Sequence, residues 1–208
     1  MVYTHLNTSS ASLPEPPPPS QEILFPAQDE WADSAQFPPI AGILKAKKDT
    51  LPCPLKEFGV AVSNSTRRIL IIDKYLFNPD QDSGPLDGRI SSFCDWLLEC
   101  TAFDIRILTQ SQSPENEKDV KNKFESMVDV LNDIRQSTAN TLNKLVFQIC
   151  FKPHLFCNIH DRFAVIDNDL WHFGATVGGF HKGLNAASHG WNASEIGAIE
   201  VFNHMWNS

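Results

Sequence analysis

The chain has 208 residues, 17 Lys and Arg against 25 Asp and Glu, and a formal net charge of −8 at pH 7. That balance excludes a generic nucleic-acid coating protein, because nonspecific phosphate binding depends on clustered cations, and it leaves room only for a local basic pocket. Hydrophobic residues make up 42%, enough for one compact domain plus a tail at this length.

Ten of the 14 prolines fall before residue 56, and LPEPPPPSQE (13–22) favours an extended polyproline conformation without internal hydrogen bonds. Residues 1–56 are therefore expected to be a largely disordered arm, able to offer a protein partner a docking segment, with the folded domain over 57–208. Residues 1–22 are expected to be disordered throughout. RRILIIDKYLF (67–77) has an unbroken apolar run, Ile69 to Ile72, which suits a strand buried on both faces. After the turn NPDQDSGP, Asp87 is placed to cap a helix ending near Cys100, with Ile90, Phe93, Cys94, Leu97 and Leu98 at helical spacing. FDIRILTQ (103–110) alternates as a second strand. A longer helix over 115–137 has Val120, Phe124, Met127, Leu131 and Ile134 on its apolar stripe. KLVFQICFK (144–152) predicts a third strand. IHDRFAVID (159–167) and DLWHFGATVGG (169–179) predict two more around a tight turn, followed by a Gly- and Asn-rich tail. Strands joined through helices give an α/β domain with a mixed, partly parallel sheet flanked by helices.

Within IHDRFAVID the spacing is His160-x-Arg162-x4-Asp167-x6-Gly174. Regular alternation puts His160 and Arg162 on one face and leaves Asp167 to act from the turn. An imidazole beside a guanidinium suits phosphate: a nitrogen as nucleophile or acid, and a permanent forked cation that holds two oxygens. In GATVGGFHKGLN (174–185), Thr176 and Lys182, with the glycine-loop N–H groups, are candidate ligand-binding residues.

This motif resembles that of the phospholipase D superfamily, His-x-Lys-x4-Asp followed six residues later by Gly and a small residue. The His-Asp-Arg variant is similar to the phospholipase D-like domain at the C-terminus of MIT-domain proteins. The resemblance covers roughly 67–206 and implies a phospholipase D-like half-fold. In active members it implies a phosphohistidine intermediate, here with His160 as nucleophile, Arg162 as phosphate clamp and Asp167 in support. In the MIT-associated branch it implies recognition of lipid phosphate without hydrolysis. It calls for no cofactor and no metal.

Three departures bear on activity. Arg162 stands where the family has Lys, Asp161 sets a carboxylate beside the nucleophile, and Ala175 stands where the usual Ser follows the glycine; each weakens catalysis more than binding. The other histidines, at 5, 154, 172, 181, 189 and 204, begin no second motif. A catalytic site would then need a homodimer in which two copies of His160 meet. The expected function is thus binding of a phosphodiester, from nucleic acid or a phospholipid headgroup, with hydrolysis by the dimer. The alternative is a catalytically degenerate phosphate-binding or protein-interaction module. Cys150, His154, Cys157 and His160 supply zinc-type ligands, but their spacing lacks the two close pairs of a zinc module. Five cysteines at irregular spacing, no signal-like N-terminus and no run approaching ~20 apolar residues predict a cytoplasmic protein.

Overall fold

The structure, a computed structural model, describes residues 21–24, 55–78, 85–138, 144–157, 159–181 and 185–208. Among the described residues seven strands form one sheet: β1 (Glu22–Leu24), β2 (Arg68–Asp73), β3 (Asp104–Thr109), β4 (Phe147–Phe151), β5 (Arg162–Ile166), β6 (Asp169–Phe173) and β7 (Ala187–Asn192), in the order β1-β7-β6-β5-β2-β3-β4. β2, β3 and β4 are parallel, while β5, β6, β7 and β1 run antiparallel to their neighbours. The mixed α/β sheet expected from the sequence is thus present. Helices α1 (Lys56–Ser63), α2 (Leu86–Trp96) and α3 (Pro114–Thr138) cover one face, and α4 (Ala198–Asn207) covers the other.

The apolar run of β2 explains its central place. Ile69 and Ile71 enter the core beneath α1, α2 and α3, and Leu70 and Ile72 enter the smaller core beneath α4. All four are fully buried, each contributing roughly 1.5–3 kcal/mol of transfer free energy relative to exposure. Phe58 of α1 makes edge-on contacts with Trp96, Trp171 and Phe173, centroids 5.1–5.7 Å apart, so α1 clamps α2 to the β5–β6 hairpin. Arg135 of α3 donates from Nη1 to the carbonyls of Leu97, Leu98 and Cys100, just past the end of α2. Lys152 likewise donates to the carbonyls of Met205 and Trp206 at the end of α4.

Several expectations are corrected. On α3, Ile134 is exposed, and the buried stripe runs Val120, Phe124, Val128, Leu131, Arg135, because the helix turns its charged guanidinium toward the carbonyl end of α2. α2 starts at Leu86 with Pro85 as its N-cap residue, which places Asp87 inside the first turn; it stops at Trp96 rather than near Cys100. β3 buries both faces, and Phe103 lies outside it and exposed. The tail read as Gly- and Asn-rich contains β7 and α4. Within the stretch assigned to the arm, Glu22–Leu24 form β1, antiparallel to β7, and Lys56 opens α1. The remainder of the arm lies outside the described residues.

Candidate anion site at the carboxyl edge of the sheet

β5 runs antiparallel to β2 with Ile72 beside Phe163, so Arg162 enters the sheet next to Asp73, at the carboxyl ends of the parallel strands. Crevices at that edge are where open α/β sheets bind ligands. Pairing also fixes the face: Ile71 with Ala164 is followed by Asp73 with Arg162, all on the side of α1, α2 and α3.

Asp73 is fully buried. Its Oδ1 accepts the N–H of Tyr75 at 2.8 Å, and its Oδ2 accepts the N–H of Val177 at 2.7 Å. The side chain thereby joins the turn after β2 to the loop after β6. Thr109 Oγ1 donates to the Asp73 carbonyl at 2.7 Å, which adds β3 to the same junction. Burial pushes the Asp73 carboxyl up to about 6, against the lowering effect of the two N–H groups and of the Arg162 and Arg89 charges.

Arg162 lies with Nε 3.9 Å from Asp73 Oδ1 and its guanidinium over the Tyr75 ring, 5.0 Å from the centroid. Nη1 makes one long contact of 3.5 Å with the Gly174 carbonyl, and Nε, which is buried, has no hydrogen-bond partner among the described residues. With 23% of the side chain exposed, this is a cation held in place by an aromatic face with most of its donors unspent. Tyr75 is itself placed by Arg89, buried on α2, which donates to the carbonyls of Tyr75, Leu76 and Asn78.

The other predicted site residues are distributed differently. His160 precedes the ladder, is exposed, and no longer has its direction fixed by the pleat. Asp161 turns to the α4 side, where its Oδ1 is 3.6 Å from His172 Nε2, so it does not crowd Arg162. Asp167 stands at the far end of β5. Its carboxylate accepts the N–H groups of Thr66, Arg67 and Arg68 at 2.7–3.2 Å, and its left-handed φ of 56° makes the β5–β6 turn. A supporting role for Asp167 at a phosphate beside Arg162 does not fit this geometry, since the length of the strand separates them. Thr176 is buried at 3% exposure inside the loop that donates Val177 N–H to Asp73. Lys182 lies outside the described residues.

No family model matches the chain, and no curated protein matches it. Among solved structures, TrmBL2, an archaeal chromatin protein whose structure is described as showing a novel mode of DNA binding, is similar over 96% of this chain and 55% of its own. The identity is 10% and the TM-score 0.41. This chain thus spans about half the length of that protein, and a likeness of that size carries no functional conclusion.

Asp73 and Tyr75 are the site residues that sequence reasoning passed over. A carboxylate that ends an all-apolar parallel strand, as in ILIID, is the signal that points to them. Among the described residues no cluster of three His, Cys, Asp or Glu side chains suits a metal ion, and Cys157, His154 and His160 are all exposed. No helix among the described residues is long and apolar enough to cross a membrane.

Proposed function

We propose that the chain is a phosphate-recognition module of phospholipase D-like type that holds a phosphodiester or phosphate-bearing ligand at Arg162, with His160 at the mouth of the site. The supporting observation is the Arg162 guanidinium, part-exposed and seated on Tyr75 at the carboxyl edge of the sheet, with one long contact from Nη1. A planar fork in that position matches two phosphate oxygens, and its attachment to an aromatic ring limits the ordering cost of binding. The neighbouring Asp73 carboxylate tunes the site: ionised, it competes with an incoming anion for the same cation.

The test uses bis(4-nitrophenyl) phosphate, which reports binding by calorimetry and cleavage by nitrophenolate release. Saturable binding that falls at least tenfold in Arg162→Ala, with no turnover in wild type or His160→Ala, supports the module. Turnover that His160→Ala abolishes replaces it with the hydrolase reading. Unchanged binding in Arg162→Ala removes the site.

A further inference from the structure

The sheet ends differently on its two sides. One edge is the three-residue β1; the other is β4, Phe147-Gln148-Ile149-Cys150-Phe151, which among the described residues pairs with β3 alone. β4 has no charge, no proline and no bulge within it, the devices that ordinarily keep an edge from pairing. Lys152 N–H donates to the Thr109 carbonyl, which fixes the alternation: residues 148, 150 and 152 address β3, while the N–H and C=O groups of Phe147, Ile149 and Phe151 point away from the sheet. Beside this edge runs a groove of about 570 Å³, lined by Leu145 to Ile149 and by Lys121, Glu125, Asp129 and Asn132 of α3.

We propose that β4 is the self-association edge of this chain, pairing antiparallel with β4 of a second copy about a two-fold axis at Ile149. This register sets Phe147 against the partner's Phe151 and Ile149 against the partner's Ile149, forming about six interchain backbone hydrogen bonds from the outward groups. Phe147, Ile149 and Phe151 all lie on the α3 side of the sheet, partly buried against its core, so the two copies extend one apolar ladder.

Charge on α3 argues for a second copy as the occupant. Lys121 lies over Phe151, its Nζ 5.3 Å from the ring centroid, and Asn132 exchanges hydrogen bonds with Leu145 at the other end of the groove. α3 therefore runs antiparallel to β4, and a two-fold axis at Ile149 carries Lys121 toward the partner's Asp129, opposite charges twice over. Lys121 already bonds Glu117 at 2.6 Å, so it bridges two carboxylates in the pair. Glu125 falls near the axis beside its own copy, a repulsion that the flanking pairs offset. β5 is three strands from β4, so seven strand spacings separate the two copies of β5, the two Arg162 sites lie about 35 Å apart and the two His160 rings never share one phosphorus.

Residues Gln148 and Cys150 of the two copies form non-hydrogen-bonded pairs in this register, with Cα atoms about 4.5 Å apart, inside disulfide range. In a chain whose Cys53 and Cys157 are serine, Gln148→Cys should oxidise to a covalent dimer, and adding Cys150→Ser should abolish it. Wild type should weigh twice its 23.3 kDa by light scattering. Ile149→Pro removes an outward N–H that β3 does not use and should give a folded monomer. The crosslink decides: a folded Gln148→Cys chain that does not join, or a monomeric wild type, overturns the proposal, and its formation carries it even if Ile149→Pro fails to fold. Phosphodiester binding at Arg162 is read separately and does not enter this outcome.

Discussion

Asp73 and Arg162 face each other at 3.9 Å across the β2–β5 pair, too far for a hydrogen bond and close enough for each charge to govern the other. The carboxylate is spent on two backbone N–H groups, so the guanidinium has a neighbour and no firm partner. That incompleteness makes the edge of the sheet receptive to an anion.

The Asp73 carboxyl, raised from 3.8 to about 6 in the folded protein, sets a pH dependence of defined sign. The folded state holds the proton more tightly than the unfolded chain between those values. Stability contributed by this group is therefore greatest below about 4, declines as pH rises toward 6, and is lower by on the order of 3 kcal/mol above it. Urea unfolding at about pH 5 and about pH 7.5 should show wild type losing stability relative to Asp73→Asn as pH rises. Parallel pH profiles for the two proteins would refute this.

Protonation of Asp73 should also strengthen phosphodiester binding, because a diester stays a monoanion across this range while the competing carboxylate disappears. In a His160→Ala background, which removes the imidazole at the mouth of the site, affinity measured by calorimetry should rise severalfold from about pH 7.5 to about pH 5 and stay level once Asp73→Asn is added.

Tyr75 should separate placement from charge. Tyr75→Phe keeps the ring under Arg162 and should bind like wild type, whereas Tyr75→Leu removes a contact of about 0.5–1 kcal/mol and should weaken binding severalfold. Arg162→Lys retains the charge but loses the planar fork, and should bind less well than wild type and better than Arg162→Ala.

Asp167→Ala leaves the N–H groups of Thr66, Arg67 and Arg68 without their common acceptor and puts a residue poorly suited to positive φ into the turn. Chemical denaturation should show a loss of about 2–3 kcal/mol. Phosphodiester affinity of the folded fraction should be unchanged. A selective loss of binding with stability intact would return Asp167 to the site.

Gly178 has a φ of +87°, and a Cβ there would stand 2.6 Å from Phe180 Cε2. Gly178→Ala should destabilise the protein by more than 1 kcal/mol and loosen the loop that delivers Val177 N–H to Asp73, lowering phosphodiester affinity as well.

Local sequence determined much of this architecture. Ile69–Ile72 declared a doubly buried strand, the 3.6-residue period announced α2 and α3, and Asp167-Asn168 declared the β5–β6 turn; each follows from short-range geometry. The sequence also brought forward Arg162, since a cation near the start of an apolar strand is conspicuous. It did not predict α1, β7 or α4: the apolar residues of β7 stand among Ser, His, Gly and Asn without alternation, whereas the helical spacing of Ala198, Phe202 and Met205 in α4 is legible in the sequence and was passed over. It placed Asp167 at the turn, away from Arg162, but not what either end of β5 meets. That Arg162 meets Asp73 while Asp167 caps the start of β2 depends on which strand lies beside β5 and in what direction. Strand neighbours are chosen by long-range burial of both sheet faces, a tertiary quantity that no window of sequence contains.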